Sequence, residues 1–316
     1  MIRSMTKTEV HDATSDGNRV RLLAGLPVTE RRLQLAGVST AVLEGGDGPP
    51  VVLLHEQGEF AARWMRMLPD LVSTHRVIAP DLPGHGASEL IQGRLDADRV
   101  LSWLDELIVH TCSSPPVLVG HMLGGAIAAR FAVERNDRLR ALVLVDTFGL
   151  RSFRPRPRLA LALVRYIRRP TEDSFDRLYQ HCAVNLDGMR DQIDTRWAPF
   201  RAYVLERART PGLKAALPQL MRSFALHKIP SAELARIRVP TTLIWGRHDP
   251  ATSLRAAQAA SVRYGWPLHV VDDAADDPVL EQPEATLRAL RSAMAHESPG
   301  PADEITDGGS VEKEQT

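Results

Sequence analysis

Short runs of consecutive apolar residues, each bounded by Gly or Pro, alternate along most of this chain with segments whose apolar residues recur at helical spacing. "VVLL" (Val51–Leu54) is followed by "FAARWMRMLPDLV", which predicts a helix. "RVIAP" ends in a Pro/Gly loop and leads to "LDADRVLSWLDELIVH", where Val100, Leu101, Leu104, Leu107 and Ile108 fall on one helical face. "PPVLVG", "GGAIAARFAVE" and "LRALVLVDT" continue the alternation. Continuous apolar runs suit strands covered on both faces, and strand–helix alternation predicts a mostly parallel sheet with helices on both sides. Upstream, "RRLQLAGVSTAVLEGG" alternates apolar with polar residues, which predicts two half-exposed edge strands. No internal repeat is evident.

The alternation stops after Phe148. From Arg151 to about Ile237 the pattern is helical, with prolines between segments and no buried strand. It resumes with "VPTTLIWGRHDP", "SLRAAQAASVRY", "PLHVVDDA" and "PEATLRALRSAM". The chain therefore divides into an α/β core at 31–149 and 238–296 and a helical insertion at 150–237. An N-terminal extension (1–30) and a polar tail (297–316), rich in Gly, Pro and acid, are expected to be partly or wholly disordered.

Composition changes this picture little. The 316 residues carry 39 basic and 39 acidic side chains, so bulk charge argues against nucleic acid as a partner. Cys112 and Cys182 form neither a disulfide framework nor metal-ligand spacing, and no metal or cofactor is expected. No apolar segment of signal-peptide or membrane-spanning length is present, which makes the cytoplasm the expected location.

Six segments in order carry a resemblance to the α/β-hydrolase fold: "VVLLHEQGEF", "APDLPGHGAS", "GHMLGG", "LVLVDTFG", "LIWGRHDP" and "DDPVLEQPEA". Together they cover roughly Arg31 to Ala295. The resemblance implies a nucleophile on a sharp strand-to-helix turn of form G-x-S-x-G, then an acid and a histidine later in the chain, with backbone N–H groups forming an oxyanion hole. It also implies that the helical insertion is a lid over a substrate pocket.

This chain departs from the pattern at each of these places. The turn reads Gly120-His121-Met122-Leu123-Gly124, and a thioether has no proton to lose and forms no ordinary acyl ester. Asp249 matches the acid. Alignment on Pro278, Glu281 and Pro283 puts Asp276 where the histidine belongs. The oxyanion segment has His55-Glu56 in place of His-Gly, leaving Leu123 and either Glu56 or Gln57 as N–H donors beside a new carboxylate. Ordinary serine-hydrolase activity is expected to be absent. Epoxide hydrolases and haloalkane dehalogenases of this fold carry an aspartate at the turn, and Met122 excludes these as well.

No other residue offers a rescue. His121 and His85 read as structural, His248 and His269 lie away from the missing position, and His296 sits near the chain end. His181 and Cys182 are adjacent and so diverge on a helix, and Ser88 lacks the turn's exposure. The acidic residues Glu56, Asp249 and Asp276 are expected to converge on one pocket, where mutual repulsion would let one hold a proton near neutrality. The alternative is that Asp276 or Asp277 faces water and Glu56 makes a local salt bridge. Between Arg151 and Arg169 lie seven arginines and no acid, which read either as a solvated lid edge paired with acids elsewhere or as a docking surface for an acidic ligand, carrier protein or membrane surface. Leu159, Leu161, Leu163, Val164 and Ile167 are expected to form the apolar face of a lid helix. Two functions follow as expectations: a non-hydrolytic pocket protein for a small, largely apolar molecule, or an enzyme of isomerase, lyase, cyclase or hydratase type using carboxylates. A structural protein without a pocket fits less well, because the strand-end loops and lid segment are retained.

Overall fold

The computed structural model describes residues 17–295; the expected disorder of both ends concerns segments that lie largely outside them. Nine strands form one sheet: β1 (Thr29–Leu35), β2 (Val38–Gly45), β3 (Pro50–Leu54), β4 (Arg76–Pro80), β5 (Glu89–Leu90), β6 (Val117–His121), β7 (Ala141–Val145), β8 (Thr241–Gly246) and β9 (Leu268–Val271). Their order is β1-β2-β4-β3-β6-β7-β8-β9, with β5 pairing β2. The β1–β2, β2–β4 and β2–β5 pairs are antiparallel, and every pair from β4 through β9 is parallel. Each parallel strand is followed by a crossover, as the alternation predicts.

The apolar runs are buried throughout: every residue of β3, β6, β7 and β8 is inaccessible or nearly so. One core lies on each face of the sheet. The helix Ala97–Thr111, capped by Asp96 accepting from the Arg99 N–H, buries the five predicted residues together with Trp103. No helix among the described residues is long and apolar enough to cross a membrane.

Two expectations need correction. β2 is a covered strand rather than a half-exposed edge, because β1, β4 and β5 all pair with it. The segment 60–72 is not one helix: a 3-10 run, Ala61–Arg66, gives way to a short helix, Leu68–Val72, whose start is set by Pro69. The described part of the N-terminal extension packs against the core. Residues 18–23 are helical, Leu22 is fully buried, β1 begins at Thr29, and Arg19 pairs with Glu30 at 2.6 Å and Asp81 at 2.9 Å. A single buried arginine within a polar stretch gave no periodic signal of that docking.

Between β7 and β8 the chain is helical, from Pro157–Arg168 to Ser231–Leu234. The helix Pro157–Arg168 does not use all five aliphatic residues as one face. Leu159 is buried and Leu163 half-buried, whereas Leu161, Val164 and Ile167 are 52%, 46% and 59% exposed. At 3.6 residues per turn, 159 and 163 share a side with Ala162 and Tyr166, while 161 and 164 point the other way.

Candidate functional site

The carboxyl ends of the parallel strands carry the loops that build the site, as is usual for open α/β sheets. β6 ends at His121, and the helix Leu123–Glu134 begins two residues later, so the whole reversal falls on Met122. Its φ of 45° and ψ of −103° hold it in a conformation that costs a non-glycine residue about 1–3 kcal/mol. The strain is held in place because the Met122 N–H donates to the Val145 carbonyl at 2.9 Å and its carbonyl accepts from the Phe148 N–H at 3.2 Å. Gly120 and Gly124 are required here: a Cβ on Gly120 would run into the Gly124 backbone, and one on Gly124 into the carbonyls of Leu54 and His55. The Met122 side chain is 1% exposed, and its Sδ receives the Gln57 Nε2–H at 3.5 Å.

His55 and His121 position backbone rather than react. His55 donates from Nδ1 to the Glu56 carbonyl at 2.7 Å and accepts the Leu82 N–H at Nε2, 2.9 Å. His121 donates from Nε2 to the Asp276 carbonyl at 2.8 Å, which ties the β6 turn to the loop after β9. Burial holds both rings neutral, pushing His55 down to about 4 and His121 to about 3. His85 is likewise buried within its loop, His248 is exposed, and His296 lies outside the described residues. Ser88 is 1% exposed and donates to the Asp81 carbonyl at 2.8 Å, so its hydroxyl is committed to the fold.

The expected acidic convergence is found in part. Glu56 and Asp276 line one cavity together with Met122 and Gln57; Asp249 lines a neighbouring open cleft. The idea that Asp276 or Asp277 faces water is overturned, since they are 5% and 3% exposed. Burial first, then repulsion from Asp249, Glu56 and Asp277, pushes the Asp276 carboxyl well above its ordinary range; the Cys182 thiol is its hydrogen-bond partner. That thiol is itself pushed up by burial and by Asp276, so it is no thiolate nucleophile. Asp249 is pinned by the N–H groups of Ala251 (2.6 Å) and Thr252 (2.7 Å) and by the Thr252 hydroxyl, and burial raises it to about 6.

Sequence reasoning missed three participants. Asp146, directly after β7 at φ 41°, is fully buried and accepts the Gly246 N–H at 2.9 Å; burial first, then repulsion from Asp249, lifts its carboxyl well above the usual range. It was visible only as one letter of "LVLVDT". The second is Arg63, 3% exposed, on the 3-10 run. Its guanidinium meets Glu56 at 2.7 Å, Glu59 at 3.3 Å and Asp277, and donates to the Tyr179 hydroxyl at 3.0 Å. The third is Glu59, whose Oε1 accepts the Tyr179 O–H at 2.6 Å. No spacing rule joins residues 59, 63, 179 and 277; only the fold does. Glu56 thus makes the salt bridge weighed as the plainer alternative, and its carboxylate is drawn to Arg63. Burial nonetheless raises Glu56 well above its ordinary value, against the lowering effect of Arg63. Donor atoms of Glu56, His121 and Asp277 come within 4.8 Å of one another, but Arg63 already bridges the two carboxylates and supplies the cation there.

The cavity has a volume of about 390 Å³. Its floor is Met122 with the acidic residues, and its walls and roof come from Phe148, Phe153 and the helical insertion through Leu159, Leu163, Leu178, Leu217 and Met221. The arginines at 151, 154, 156, 158, 165, 168 and 169 are all exposed, and Arg151, Arg154 and Arg156 line the open cleft beside Asp249 with Arg247 and Arg255.

A pH dependence of stability follows. Asp249 and Asp277 titrate at about 6 and Glu281 at about 7 when folded, and Glu56, Asp146 and Asp276 are also raised. Between their unfolded and folded values these acids bind more protons in the native state, so stability falls as pH rises through that window. His55, His85 and His121, lowered to about 4, 3 and 3, act oppositely, but only below their unfolded value of roughly 6.5. Because six raised acids outnumber three lowered histidines, melting temperature is expected to fall from pH 5 to pH 7, with a shallower fall in Asp276→Asn. A wild-type profile that rises across this range would contradict this.

Sheet order, strained turn and helical insertion between β7 and β8 define an α/β-hydrolase architecture. The chain belongs to the alpha/beta hydrolase fold family, whose model matches residues 49–281. It is 30% identical over 250 residues to pimeloyl-(acyl-carrier protein) methyl ester esterase of Chromobacterium violaceum, covering 78% of this chain and 94% of the relative. It is also 30% identical over 248 residues to the magnesium-chelatase 30 kDa subunit of Rhodobacter capsulatus, covering 77% and 80%. Among solved structures, a carboxylesterase from Bacillus subtilis superposes with a TM-score of 0.78 at 19% identity, covering 90% of this chain and 99% of the other. The 2-hydroxy-6-oxo-6-phenylhexa-2,4-dienoate hydrolase from Rhodococcus sp. strain RHA1 superposes with a TM-score of 0.72 at 24% identity, covering 84% and 98%.

Proposed function

We propose that this protein binds a small, largely apolar molecule in the lidded cavity and does not cleave esters through an acyl-enzyme. The observation that carries this reading is the Met122 thioether, 1% exposed, at the point of the turn where a nucleophile would stand. The loss of a serine there removes the attacking atom, and Asp276 in the cavity supplies no base of imidazole type. The apolar walls match the usual make-up of small-molecule pockets, in which few polar groups fix orientation. Esterases among the relatives support descent from an ester-cleaving scaffold. The exposed arginines from 151 to 169 support an acidic ligand or carrier protein as the source of the bound molecule.

A second reading rests on Asp276 and Glu56, two buried carboxyls at the floor of one cavity, each held toward its protonated form. One can donate and the other accept a proton, which suits isomerisation, elimination, cyclisation or hydration. A fluorophosphonate probe is expected to leave the protein unlabelled, and a thermal-shift screen of apolar small molecules is expected to find stabilising ligands. Labelling at any residue would refute the non-hydrolytic reading. Turnover of a stabilising ligand that disappears in Asp276→Asn, with binding retained, would select the second reading over the first.

A further inference from the structure

We infer that the molecule held in this cavity is an apolar amine, its cationic nitrogen seated against Asp276 and Glu59 and its hydrocarbon part under the helical insertion. The inference deepens the proposed function and rests on the cavity being a ligand site. Three carboxyls, Glu56, Glu59 and Asp276, line the space, and all three residues are more than nine-tenths buried. Against them the lining offers two cations among the described residues, Arg63 and Lys214. Arg63 is already divided among Glu56, Glu59 and Asp277, and Lys214 is exposed at the outer end. Among the described residues Asp276 makes no salt bridge; the Cys182 thiol and the acids Asp249, Glu56 and Asp277 act on it.

Two acceptor atoms and one donor, Arg63 Nε, are also left over. Glu59 Oε2 and Gln57 Oε1 are buried and receive no donor among the described residues. Buried acceptors without donors are costly, and a ligand that brings N–H groups and positive charge relieves that cost while a ligand with only acceptors increases it. Without a ligand, burial and the neighbouring acids favour the neutral form of the Asp276 carboxyl. An ammonium takes the place of that form's proton. A carboxylate or phosphate ligand would place its charge beside three acids, which excludes the anionic classes from the floor of this cavity.

The test compares octylamine, octan-1-ol and octanoate, which share a chain length and differ in head group, by calorimetric titration of the full chain at pH 7.5. Octylamine is expected to bind at least tenfold more tightly than octanol, with octanoate the weakest. In Asp276→Asn the amine-over-alcohol ratio is expected to fall to threefold or less, while octanol affinity, the control for an intact pocket, stays within threefold of wild type. Equal binding of octylamine and octanol, tighter binding of octanoate, or an unchanged ratio in Asp276→Asn overturns the amine inference and leaves the apolar pocket standing. Failure of all three to bind overturns both.

Discussion

Arg63→Ala lowers folding stability by about 3–5 kcal/mol near pH 8, the scale for removing one partner from a buried ion cluster. Arg63 is 3% exposed and serves Glu56, Glu59, Asp277 and the Tyr179 hydroxyl at once. Its guanidinium also lies 5.7 Å from the Tyr179 ring centre and 5.5 Å from that of Phe200, so truncation removes packing as well as charge. Three carboxylates are then left in the interior without a counter-ion. Protonation offsets part of the loss, because neutral carboxyls need no partner. The deficit should therefore be smaller at pH 5.5 than at pH 8, by denaturant unfolding of wild type and variant at both values. Arg63→Lys keeps the charge but not the fork of donors, and should fall between the two. An equal deficit for Arg63→Ala at the two pH values would show that packing, not charge, is the source.

Met122→Ser alone gains no fluorophosphonate labelling, and Met122→Ser combined with Asp276→His gains it. The backbone of the turn is already in place: φ is positive at Met122, and the Leu123 N–H, first in its helix, has no intrahelical acceptor. Glu56 is drawn away from that position by its 2.7 Å contact with Arg63. What the single variant lacks is a base, since a serine beside raised carboxyls is not deprotonated by them efficiently. A histidine at 276 would be oriented by Asp249, whose carboxylate is held by Ala251 and Thr252. The base is worth about 10²–10⁴-fold in rate, so the contrast between single and double variants is large. Labelling of the single variant would mean that another group already acts as base; no labelling of the double variant would mean that Asp276 is not at the histidine's place.

Much of this molecule is legible along the chain because its sheet is made of continuous apolar runs. Val51–Leu54, Val117–Val119 and Ala141–Val145 are buried on both faces, and a strand of that kind leaves the same signature wherever it pairs. The turn at Met122 was legible too, since Gly120 and Gly124 mark the close approach that forces it. The register of the acidic groups was not. Glu56 and Asp276 could be placed near one another by alignment with a fold, but whether they faced water or the interior depended on what covered them. The covering residues come from the insertion, whose helix Pro157–Arg168 buries Leu159 and exposes Leu161, a choice that periodicity permits in either direction.

The sequence by itself determined the strand and helix order and the absence of a serine at the turn, because these are properties of single positions or of local spacing. Only the tertiary structure decided that Arg63 would be the counter-ion of Glu56 and Asp277, that Asp146 would be buried near Asp249, and that Asp276 would stand in the cavity beside other acids. Those relations join residues up to 214 positions apart, as Arg63 and Asp277 are. Electrostatic partnership is set by distance and burial in the folded chain, and neither is written in the spacing of the residues that share it.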